Sequence, residues 1–283
     1  MRPYAFYESY FLYVCTMMRI CLLISVIIIS LNASGVFAQD VILNQAFKTG
    51  ERLEYRVYYQ SGIGNVTAGE AILTVEEWKE QYTGSDKTVF HITGEGNSTG
   101  VFNFFFKVRD KFQSFVDQQT LLPYVFLRET REGKFNKDDK VTFDRERLTA
   151  VSTSKTKTIP ANVQDVISAI YYMRTFKVSD FDADSMFYLN FFLDDSVYTS
   201  AIKFQGRGYI KTKWGRILCL KIAPMMATGD IFADKYPMFV WVSDDENHVP
   251  VMGESEVIVG SIKMELIEYS GLVKPLKFVK KEE

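Results

Sequence analysis

Apolar and polar residues alternate over much of the chain. Leu53, Tyr55, Val57 and Tyr59 are separated by Glu54, Arg56 and Tyr58, and a period of two places one set of side chains on a single face of an extended strand. Comparable segments run at 70–78, 88–93, 101–108, 111–117, 124–129, 140–143 and 148–152. Between them stand turn formers at 62–65, 84–87 and 132–134, where Gly, Asn and Asp tolerate backbone angles that bulky residues resist. Such short connections favour antiparallel neighbours.

After Pro160 the period changes. Val163, Val166, Ile167, Ile170, Tyr171 and Met173 recur at three- and four-residue spacing, which gathers them on one side of a helix spanning about 161–176. Alternation returns at 186–193, 198–204, 209–212, 216–223, 238–242, 249–253 and 256–269, with Gly260 marking a bend in the last. The pattern predicts an all-β, mainly antiparallel fold: a strongly curved sheet or open barrel, with one main helix packed on it to cover an apolar face.

The start of the chain is different in kind. Arg19 precedes an apolar run from Ile20 to Leu31, and Val36-Phe37-Ala38 supplies a small-x-small pattern before Gln39, as in a secretory signal peptide cleaved after Ala38. A membrane-spanning helix needs about 20 mainly apolar residues, more than this run offers, so no transmembrane span is expected in the mature chain. Met17 or Met18 makes a better start than Met1, and residues 1–17 then read as an upstream extension. Cys21 lies inside the apolar run, away from the cleavage point, and implies no lipid anchor. Residues 39–283 form a single β-rich domain in this reading; two packed halves parted near 155–180 fit the same pattern. The expected location is the periplasm or the exterior.

The whole chain has 283 residues, 47% hydrophobic, with a net charge of −2. Cleavage removes Arg2, Arg19 and Glu8 and leaves −3, which disfavours a nucleic-acid partner. It also removes Cys15 and Cys21, so Cys219 is alone in the mature chain and no intramolecular disulfide is possible. Set between Leu218 and Leu220, it reads as a buried small hydrophobe.

Several blocks are recognisable together: 47–55 (FKTGERLEY), 106–110 (FKVRD), 121–123 (LLP), 164–174 (QDVISAIYYMR) and 240–245 (VWVSDD). In this combination the chain resembles the bacterial exported family catalogued as domain of unknown function 3108. The likeness covers nearly all of the mature chain. It implies a periplasmic β-rich protein, and it offers no catalytic residues to carry over.

Direct chemical motifs are sparse. His91 and His248 stand far apart, without a neighbouring His or Cys at metal-ligand spacing, so no metal or other cofactor is expected. Gly62, Gly64 and Gly69 lack the strand-to-helix setting of a phosphate loop. Asp194-Asp195 and Asp244-Asp245-Glu246 fall at strand ends, where carboxylates cap turns, and Asp230–Asp234 lacks the ligand spacing of a calcium loop.

More distinctive are Arg109 with Asp110, and Asp165 with Arg174, charges set among apolar neighbours; they either fix the helix on the sheet or orient a polar ligand head. Phe102, Phe104 and Phe106, with Phe105 opposite, predict a strand apolar on both faces, one of them turned to the core or to a cavity. Tyr172 and Trp241 complete the candidate ligand-binding residues. Three functional classes follow: a noncatalytic envelope protein binding an apolar or lipid-like molecule, a structural or assembly factor binding another envelope protein, and a hydrolase of envelope polymers using acidic residues gathered by folding.

Overall fold

The expected alternation becomes one large sheet because most strands bury side chains on one face and pair with the next strand along the chain. The computed structural model describes residues 41–61, 64–78, 88–177, 185–224, 238–256 and 261–279. The signal segment, Gly62, the turn at 84–87, Asp230–Asp234 and Gly260 lie outside them. Residues 41–283 make one compact unit.

The strands are β1 (Arg52–Ser61), β2 (Gly64–Trp78), β3 (Val89–Ser98), β4 (Arg109–Asp117), β5 (Pro123–Glu132), β6 (Phe135–Asp144), β7 (Thr149–Val151), β8 (Thr156–Thr158), β9 (Met186–Leu193), β10 (Ser196–Thr212), β11 (Gly215–Pro224), β12 (Met238–Ser243), β13 (Pro250–Glu256), β14 (Ser261–Ser270) and β15 (Phe278–Val279). All ladders are antiparallel, in the order β8-β7-β6-β5-β4-β3-β2-β1-β14-β13-β12-β11-β10-β9, with β15 added on β11. The first and last halves of the chain therefore meet where β1 pairs with β14, Tyr55 opposite Leu266.

The sheet curls without closing. Its outer strands, β8 and β9, do not pair with each other among the described residues. A parallel bridge joins Gln164 to Phe191 instead, the Gln164 amide donating to Asn190 at 2.9 Å and the Phe192 amide to Gln164 at 2.8 Å. Across the same gap Asp194 receives Arg128 and Lys137.

Among the described residues two helices accompany the strands. The expected helix is α2, Val166–Met173, shorter than the apolar spacing suggested because the backbone of Gln164 is engaged with β9 and Asp165 serves as the cap. The other, α1 (Gly100–Phe105), replaces the strand expected over 101–108. Gly100 takes φ +55°, a left-handed conformation that glycine adopts without penalty, and the chain coils once before entering β4. The predicted bent strand at 256–269 resolves into the end of β13 and β14, while 198–204 and 209–212 merge into β10, irregular in register between Phe204 and Gly206.

Core side chains fill both halves of the curl. Val75, Phe90, Ile92, Phe126, Phe143 and Phe192 pack against Ile167 and Tyr171 of α2. At the other half Leu53, Tyr55, Ile217, Cys219, Val251 and Leu266 form a second cluster.

Candidate functional site

α2 is placed by its first turn. The Asp165 carboxylate accepts from the amides of Ile167 at 2.9 Å and Ser168 at 2.8 Å, while the Ser168 hydroxyl accepts from the Asp165 amide at 2.8 Å. This reciprocal cap satisfies donors that a helix start leaves open. Ser114 of β4 donates its hydroxyl to the same carboxylate and ties the helix to the sheet. Burial raises the Asp165 carboxyl to about 6, although the hydrogen bonds it accepts from Ser114, Ile167 and Ser168 favour the charged form.

The helix is apolar on two sides, as a helix inside a domain must be. Ile167 and Tyr171 enter the packed core. Ala169 and Met173 face the other way, towards β9 to β12, where Ala169 packs with Leu189, Ile202, Ile222 and Val242; Val166 and Ile170 lie at the border of an apolar pocket beside this cluster. This cavity of about 540 Å³ is lined across from the helix by Leu189, Phe191, Ile202, Ile222, Val240 and Val242. Its few polar contributors include Arg174, Ser200 and His248.

Arg174, the C-cap of α2, is the centre of a buried knot. Its Nη1 donates to Glu51 Oε1 at 2.6 Å and its Nη2 to Glu51 Oε2 at 2.8 Å. Nη2 also donates to the Ala46 carbonyl, and Nε to that of Asn247, each at 3.1 Å. Four of the five guanidinium donors are thereby used. The rings of Tyr171 and Phe47 flank the cation at 4.9 and 5.5 Å. Burial pulls the guanidinium down, but the Glu51 carboxylate overrides it and holds the proton more firmly than in water. The pair satisfies itself, so its work is to join the N-terminal segment, α2 and the β12–β13 turn.

That turn explains the acidic cluster. Asp245 accepts from the Ser243 hydroxyl at 2.8 Å and the Asn247 amide at 3.0 Å. Asp244 pairs with Arg207 and Glu246 with Lys274, both at 2.9 Å. His248 sits in the same turn at φ +42°; its Nδ1 lies 2.7 Å from the Arg174 carbonyl, an acceptor only, so Nδ1 carries the proton. Burial lowers its pKa. Burial also pushes the Cys219 thiol up to about 12, which leaves it an inert core group. Among the described residues no group of three His, Cys, Asp or Glu side chains is arranged to hold a metal.

The expected ligand residues disperse. Arg174 alone lines the cavity, and its partner is Glu51, not Asp165, which caps the same helix. Tyr172 packs on Phe176 at 5.4 Å. Trp241 on β12 faces away from the cavity, its ring 3.1 Å from where a Cβ at Gly208 would lie. Arg109 donates to the carbonyls of Ser98 at 3.0 Å and Val108, and Asp110 accepts from the Arg131 amide at 2.9 Å; both secure the start of β4. Phe104 and Phe106 stand on or beside α1 in solvent, because the segment coils instead of extending. Glu51 and the β9–β13 lining escaped the sequence reading, although Ile170 and Met173 were in the helical pattern.

A family model described as a protein of unknown function, DUF3108, matches residues 54–267. The chain belongs to this DUF3108 family. Among solved structures, the DUF3108 chain is similar to a β-barrel-like protein of domain of unknown function DUF1849 from Brucella abortus, with a TM-score of 0.52 and 10% identity over 80% of this chain and 99% of that one. A Bacteroides fragilis protein with a YmcC-like fold is 10% identical over 82% of this chain and 99% of its own, with a TM-score of 0.33. No curated protein matches the sequence. The first of these likenesses supports the barrel-like architecture of the DUF3108 chain and nothing finer.

Proposed function

We propose that this DUF3108 protein is an exported, noncatalytic binding protein of the cell envelope that holds an apolar ligand, a lipid or acylated molecule, beneath α2. The observation that carries the reading is the cavity: about 540 Å³, within the size range of small-molecule sites, which are mostly apolar with a few polar groups for orientation. An open pocket lined by Leu, Ile, Val and Phe leaves apolar surface in contact with water, and an apolar occupant removes that surface from water. The signal-like segment at 19–38 supports the export in this reading, and a carrier outside the cytoplasm would shield an apolar ligand from water. The charged groups nearest the cavity, Arg174 and Glu51, are committed to each other, so recognition rests on shape and apolar contact.

The test is titration with a fluorescent fatty acid. Saturable binding of one probe per chain is expected, weakened at least about tenfold by Ala169→Phe, which projects a ring from α2 into the void. Absence of saturable binding, or equal affinity in a folded Ala169→Phe protein, overturns the reading.

A further inference from the structure

Phe104, Phe105 and Phe106 are 85%, 77% and 52% exposed, and Val101 of the same segment 62%. α1 buries none of its own residues. The Lys107 carbonyl accepts from the Gly133 amide at 2.8 Å, and a Cβ at Gly133 would lie 2.9 Å from the Phe106 ring. The β5–β6 turn therefore stands alongside α1 and adds Lys134 and the exposed Phe135. On the other flank the Thr99 amide donates to Ala68 at 2.9 Å, bringing in exposed Val66 near the start of β2. Residues 99–107 and 133–136 contain no carboxylate, Lys107 and Lys134 are both exposed, and the adjoining acids, Glu132 opposite Phe135 and Asp110, are half-buried and hydrogen-bonded to each other.

We propose that this end of the sheet docks on an anionic lipid bilayer. The phenylalanines enter the boundary between headgroups and acyl chains, and the two lysines lie at the level of the phosphates. Exposed rings beside two exposed lysines, with the neighbouring acids half-buried and engaged with each other, match that interface in both polarity and charge. The same end carries part of the cavity lining: Met238 is opposite Ser255, Ser255 opposite Ile262, Ile262 opposite Tyr59 and Tyr59 opposite Val66. Docking turns the Met238 end of the cavity towards the membrane. The proposal stands whether or not the cavity is filled, since bilayer binding is read without a ligand.

The experiment is co-sedimentation of the protein, as purified from its own cells, with phosphatidylglycerol or phosphatidylcholine vesicles. Expected is binding to phosphatidylglycerol that Phe104→Ser with Phe105→Ser weakens at least about tenfold, given the apolar area each ring buries. Lys107→Glu with Lys134→Glu removes the preference for the anionic lipid and its salt dependence. Both double variants keep the wild-type unfolding midpoint, because the altered side chains are exposed. No binding to phosphatidylglycerol, or binding that survives the phenylalanine substitutions, overturns the proposal. So does self-association that those substitutions abolish in a protein that ignores vesicles, which would make the patch a contact between copies.

Discussion

Replacing Glu51 by Gln tests the buried knot directly. In the wild type the side chains of Arg174 and Glu51 are 3% and 0% exposed, and the carboxylate supplies both the counter-charge and two of the acceptors. Gln offers one acceptor and turns an amide donor on a guanidinium that already donates, leaving a buried cation uncompensated. Removing one partner of such a pair costs about 3–5 kcal/mol, a large part of the roughly 5–15 kcal/mol that holds a domain together. At about 2–4 °C per kcal/mol for a domain of this size, the unfolding midpoint falls by roughly 6–20 °C. The assay is urea and thermal unfolding followed by circular dichroism. Replacing both partners by Leu should recover part of the loss, because a matched apolar pair leaves no orphan charge. A Glu51→Gln loss under about 1 kcal/mol, or a double variant as unstable as the sum of the singles, would refute the structural role of the pair.

Other consequences are as specific. Gly271 has φ +69°, and a Cβ there would lie 1.9 Å from the Gly50 carbonyl oxygen, so Gly271→Ala should destabilise by more than about 2 kcal/mol, adding a backbone clash to the usual left-handed penalty; a smaller loss in chemical unfolding contradicts the close approach. Burial lowers the His248 pKa below the ordinary 6.5, so its contribution is complete above that value and is lost as pH falls, when the unfolded chain takes up a proton the native state refuses. Asp165, raised to about 6 from 3.8, acts in the opposite sense between those values, so the readout is the comparison with His248→Asn, whose stability should fall less from pH 7 to pH 5; parallel slopes refute it. Cys219, buried and raised to about 12, should resist a thiol reagent in the native protein and react at the rate of global opening, whereas fast stoichiometric labelling would show an accessible thiol.

The strands were legible because burial on one face writes itself as alternation: Met186–Leu193 falls where the pattern put it, and Lys140–Phe143 forms the interior of β6. α2 was legible in kind but not in extent. Its apolar spacing begins at Val163, yet helical geometry begins only after Asp165, since the Gln164 backbone bonds to β9, a tertiary contact with no local signature. The stretch 101–108 misled for a related reason. Apolar residues on both faces mean a buried strand only when something covers them, and here a glycine at the turn lets them coil and remain exposed. Glu51 stood in a recognisable block, but its partner lies 123 positions away, and only the fold brings them together. The cavity was least legible of all, because the same Leu, Ile and Val residues line a void or fill a core depending on the curvature of the sheet.

The most direct test of ligand carriage is the native mass of the protein purified from the envelope of its own cells, compared with its mass after denaturation. A reproducible noncovalent adduct of lipid-like composition, absent from the Ala169→Phe variant, is the predicted result. A bare chain in both states, from cells grown and lysed without detergent, would contradict it.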